Sequence, residues 1–117
     1  MNGRRAALGV LALLFLAGTL SCGGSSDIEK GKQVFDANCA TCHGAGALGT
    51  GTGPPLVHGL YVPGHHNDDS IRRAVRDGVP SHHWFFGDMP PIVGVSDEEL
   101  EQVIAYVRER QREGGIY

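Results

Sequence analysis

Cysteine is scarce in this chain of 117 residues: three are present, at positions 22, 39 and 42, too few for a disulfide framework. Basic residues are few as well, ten Lys+Arg against 13 Asp+Glu, so there is no basic stripe of the kind a nucleic-acid binder needs. No apolar run reaches the roughly 20 residues that cross a bilayer; the longest, Ala6 to Leu20, has 15. Nothing alternates apolar and polar residues as a half-buried strand would, and no segment repeats. The sequence also offers no nucleophile–base pair and no paired carboxylates in a plausible site, and it does not read as an enzyme. It is too short for two lobes with a cleft between them.

The N-terminus carries an address. Arg4 and Arg5 precede the apolar run, which ends at small residues before Cys22, and this order describes an export signal over residues 1–21. The other reading is an uncleaved membrane anchor. Ser21-Cys22-Gly23 resembles the end of a bacterial lipoprotein signal, although Thr19 and Leu20 depart from its usual residues. The resemblance implies a lipidated Cys22 on the periplasmic side of a membrane. Gly23-Gly24-Ser25-Ser26 then reads as the rest of a flexible tether, residues 22–26, ahead of one domain over 27–117. Removal of the signal takes two arginines and leaves eight basic against 13 acidic residues, a net charge of −5.

Three helices are predicted in that domain. Ser26 and Glu29 form a capping box for the first, from about Asp27 to Asn38. The second fits Asp69 to Asp77, capped by Asn67 or Asp68 and closed by Gly78. In the third, Leu100, Val103, Ile104 and Val107 recur at helical spacing between the capping box Ser96–Glu99 and Gly114. The connections are long. Residues 44–53 hold five glycines, and residues 79–95 hold three prolines and two glycines. Loops of that length in a small domain need something to wrap around.

Cys39-Ala40-Thr41-Cys42-His43 names it: C-x-x-C-H is the signature of covalent haem attachment. Two thiols three residues apart reach the two vinyl groups on one porphyrin edge, and the next residue presents an imidazole to the iron. A redox disulfide is expected near a βαβ pattern, which is missing, and a zinc site would need two further ligands at matched spacing. For the opposite face of the iron, Met89 is the one thioether outside the signal, in a loop stiffened by Pro90 and Pro91. His58, His65, His66, His82 and His83 are its competitors, and a vacant position is the third possibility.

From about residue 27 to 113 the chain resembles class I c-type cytochromes. Gly31 and Phe35 on the first helix and Tyr106 on the last match the family's helix crossing, and Gly53-Pro54 with Leu56 matches its Gly-Pro-x-Leu segment. Met89-Pro90-Pro91 matches its sixth-ligand loop. The resemblance implies an all-α cytochrome c fold of three main helices around one haem. It implies that the Pro54 carbonyl orients His43, so the cofactor-binding set is Cys39, Cys42, His43, Met89 and Pro54, with His43 and Met89 on the metal. The function expected is a monomeric, periplasmic or membrane-tethered electron carrier between redox proteins. The alternative is a gas- or metal-binding haem module, or the cytochrome subunit of a larger oxidoreductase. Trp84 is expected over the haem pocket, its indole near a propionate. His65-His66 and His82-His83 read as polar loop residues, or as two pairs of which one histidine each meets to bind a metal.

Overall fold

The computed structural model describes residues 23–117; residues 1–21, expected to be an export signal, and Cys22 lie outside them. The described chain forms α1 (Gly23–Asn38), α2 (Ala40–His43), α3 (Asp68–Asp77) and α4 (Asp97–Glu113), with single 3-10 turns at Ala45–Ala47 and Gly59–Tyr61. Among the described residues the one β feature is an isolated antiparallel bridge between Val79 and Met89. No helix among them is long and apolar enough to cross a membrane.

α1 starts four residues earlier than its capping box predicts, so Gly23–Ser26, given above to the tether, are helical. Adding residues to an existing helix costs far less than nucleating one, and Ser26 therefore sits inside the helix instead of capping it. The two other caps are as read, although α3 starts at Asp68, one residue before the expected Asp69. Asn67 caps α3 through its side chain, which accepts from Ser70 N, and Gly78 ends it at φ 75°. Ser96 and Glu99 close their reciprocal box on α4.

α1 and α4 cross at Gly31. A methyl group added there would lie 1.9 Å from the Gln102 carbonyl oxygen, so only glycine lets the two backbones come this close. Beside the crossing Phe35 and Tyr106 pack with ring centroids 5.3 Å apart, and Ala47, Val103 and Val107 complete one buried cluster. Such an aromatic pair contributes about 0.5–1.5 kcal/mol beyond the area it buries. A second cluster, Val75 with Leu100 and Ile104, seats α3 on α4. Val103 and Leu100 thus face different partners on one helix, and the space between the clusters is where the chain is hollow.

Candidate functional site

That hollow is a cavity of about 550 Å³, with Phe35, Leu56, Ile71, Val75, Val103 and Val107 among its apolar walls. In a domain of under a hundred described residues this is a core left open, since protein interiors otherwise leave few voids larger than water.

The attachment motif lies at its edge. The Cys39 amide bonds the Phe35 carbonyl at 2.8 Å, ending α1, and the chain turns straight into α2. Cys39 faces the cavity and is half buried; burial pushes its thiol up to about 11. Cys42 is exposed and both thiols are free. His43 lines the cavity, and its Nδ1 donates to the Pro54 carbonyl at 2.9 Å. A carbonyl can only accept, so this bond puts the proton on Nδ1 and leaves the Nε2 lone pair free. Burial holds the His43 imidazole below its ordinary value, against a smaller opposing pull from Pro54, and so favours the neutral, ligating form.

The glycine-rich loop serves this geometry. Gly44 at φ 80° reverses the chain after His43, and Gly49 N returns to bond the His43 carbonyl at 2.6 Å. At Gly53 an added methyl would lie 2.6 Å from the Cys42 carbonyl oxygen. The loop therefore lies flat on α2 and delivers Pro54 to His43.

Met89 lines the same cavity. Its backbone is held at both ends by the bridge, Met89 N to Val79 O and Val79 N to Met89 O, each 2.9 Å. Gly78 makes room for this, because a methyl group there would lie 2.5 Å from the Met89 carbonyl oxygen.

The histidines divide. His58 does not line the cavity; its Nδ1 accepts from Leu60 N and caps the Gly59–Tyr61 turn. His66, His82 and His83 do line it. His65 Nε2 and His83 Nε2 meet at 3.3 Å, so a histidine from each pair does come together. Partial desolvation, and after it the other three histidines of the two pairs, hold the His83 imidazole below its ordinary value. Trp84 lines the cavity as expected, but its indole N–H is occupied by Tyr61 Oη at 2.9 Å, leaving no free donor there for a propionate.

Two residues that organise the site went unread in the sequence. Arg108, with its side chain 5% exposed, pairs with Asp68 at 2.8 Å and donates to the carbonyls of Tyr61 and His66. Gln111, fully buried, donates to the carbonyls of Leu56 and Tyr61 and accepts from Arg108. The two side chains hold the 56–66 loop against α4. The signal was present, since positions 108 and 111 continue the buried stripe of Ile104 and Val107 by one helical turn.

The residues fit a haem: a large apolar cavity, two free thiols at attachment spacing, and an imidazole whose second nitrogen is already committed to a carbonyl. Similarity to known proteins agrees. The chain is 31% identical to cytochrome c6 of Synechocystis sp. over 107 residues, 87% of this chain and 83% of the relative. It is 34% identical to cytochrome c6 of Picosynechococcus sp., with 89% of each chain covered. A cytochrome c oxidase subunit 2 of Alkalihalophilus pseudofirmus is 33% identical over 86 residues, 68% of this chain but only 25% of that protein. No solved structure matches significantly. The family model described as cytochrome c matches residues 28–111, and the chain therefore belongs to the cytochrome c family, as a class I member.

Proposed function

We propose that this protein is a one-electron carrier whose haem c would be held through Cys39 and Cys42, with His43 and Met89 as the residues that would ligate its iron. The observation that carries the reading is the bond from His43 Nδ1 to the Pro54 carbonyl beside an apolar cavity that also exposes Met89. Bound haem supplies the Fe(III)/Fe(II) couple. The chain's own residues do the rest: the His43–Pro54 bond fixes the ring's tautomer and angle, the apolar walls exclude water, and the bridged Met89 offers a soft thioether that raises the potential above a bis-histidine value. Carrying an electron needs no acid–base pair, so the protein acts as a carrier and not as an enzyme.

Residues 1–21 are the export signal, and lipidation of Cys22 would hold the domain on the periplasmic side of a bacterial membrane. The partners are redox proteins, and the acidic balance of the exported chain favours a basic docking face, an attraction that fades with salt. The match to one quarter of an oxidase subunit favours a second reading, a cytochrome module docked to a larger oxidoreductase. Absorption spectra of the oxidised and dithionite-reduced protein, with and without carbon monoxide, test the carrier. A six-coordinate spectrum indifferent to carbon monoxide supports it, and a five-coordinate, carbon monoxide-sensitive spectrum overturns it.

A further inference from the structure

We propose that His65, His66 and His83 form a second metal site, separate from the iron, that takes a single zinc- or copper-class divalent ion. One ring nitrogen from each of the three lies within 4.8 Å of the others. The 3.3 Å between His65 Nε2 and His83 Nε2 suits a shared metal as well as a ring–ring hydrogen bond: two nitrogens about 2.05 Å from one zinc, at a tetrahedral angle, stand about 3.3 Å apart. His66 donates its Nδ1 proton to the Leu60 carbonyl, which leaves Nε2 as its lone-pair nitrogen, the arrangement usual for a metal-bound histidine. His82 lies against His83 with ring centroids 4.3 Å apart but outside the triad, its Nδ1 on the Pro80 carbonyl. Water or another small ligand would complete the coordination.

The backbones that carry these rings are fixed by other contacts. Arg108 holds the His66 carbonyl at 2.6 Å, and Trp84 Nε1 reaches across to Tyr61 Oη, joining the two loop segments directly. A site whose supports are in place loses little entropy on binding. Three imidazoles and no carboxylate select a late first-row ion over magnesium or calcium, which want oxygen. An ion here clips the His65–His66 segment to the Ser81–Trp84 segment, and both contribute walls to the haem cavity.

The inference does not depend on electron transfer, and its test is carried out on the haem-loaded protein, where Cys39 and Cys42 are alkylated by the cofactor and cannot compete. Calorimetric titration with zinc chloride at pH 7.5 is expected to give one site with a dissociation constant in the micromolar range or below, and magnesium chloride no binding. His65→Ala and His83→Ala should each weaken zinc at least about tenfold, and in His65→Ala, whose ring does not line the haem cavity, the haem spectrum stays unchanged. His58→Ala should leave zinc binding as it was. In the unmutated protein, one equivalent of zinc should protect residues 65 and 83, but not 82, from diethyl pyrocarbonate, read by peptide mass spectrometry. Millimolar or absent binding, affinity unaltered in both triad variants, or no protection of residues 65 and 83 would overturn the site.

Discussion

The guanidinium of Arg108 meets Asp68, two backbone carbonyls and Gln111, and it does so inside the protein. Replacing it by methionine keeps the packing volume but leaves the His66 carbonyl and the Gln111 amide oxygen without their donor. Arg108→Met is expected to cost about 2–4 kcal/mol, read as a lower urea midpoint with an unchanged slope. Tyr61 is less affected, since Gln111 Nε2 still donates to its carbonyl. Met89→Ala is expected to abolish the weak absorption at the red end of the ferric spectrum and to lower the reduction potential; a variant with both unchanged would place a histidine on the iron. His43 sets an acid limit. Burial lowers its folded-state value below the ordinary 6.5, so the unfolded chain takes up a proton that the folded one refuses. Its contribution is complete above about 6.5 and is lost as pH falls below that. In the haem-loaded protein, where iron on Nε2 would exclude the proton as burial does, the urea midpoint should drop from pH 7 to 5.

Helix α4 joins both core clusters, so what disturbs its seat disturbs the whole domain. Gly31→Ala drives a methyl group into the Gln102 carbonyl, a backbone atom that can yield only if α1 and α4 separate. The expected loss is about 3 kcal/mol or more, a fall in melting temperature of at least roughly 12 °C by thermal scan of the haem-loaded protein. The starts of α3 and α4 were legible because their caps are side-chain chemistry written at fixed offsets, Asn67 to Ser70 and Ser96 to Glu99. The start of α1 was not, because Ser26 and Glu29 carry the same pattern without ending the helix there. The one-turn α2 hides in the attachment motif, too short to show any periodicity. On α4 the apolar stripe was readable and its spacing reaches Arg108 and Gln111, yet by type they look like surface residues, and it is the carbonyls of a distant loop that make their burial possible.

At the scale of the molecule, the apolar surface that faces the cavity has no partner among the described residues. Acid–acetone extraction should leave the added mass of one haem on the chain, as expected for thioether attachment; an unmodified mass would remove Cys39 and Cys42 from the site. Chain produced without haem should lose most of its far-ultraviolet helical signal, because two small clusters bury too little on their own. The haem motif and Met89 were legible in the sequence as residue types in order. A meeting of one histidine from each pair is one reading of the sequence, but that it joins His65 to His83, and that Trp84 bonds Tyr61, was not legible, since both depend on how two loops of no regular pattern approach each other. The crossing of α1 with α4 has one more consequence. The first helix of the domain to be made buries Phe35 against Tyr106 of the last, so the native core cannot close until Tyr106 has left the ribosome. Contacts that join the two ends of a chain also come late, because the closing loop is long. During that interval Cys39 and Cys42 remain open to whatever delivers the haem, and chain order alone acts as the timer that keeps the attachment site accessible until its cofactor can arrive.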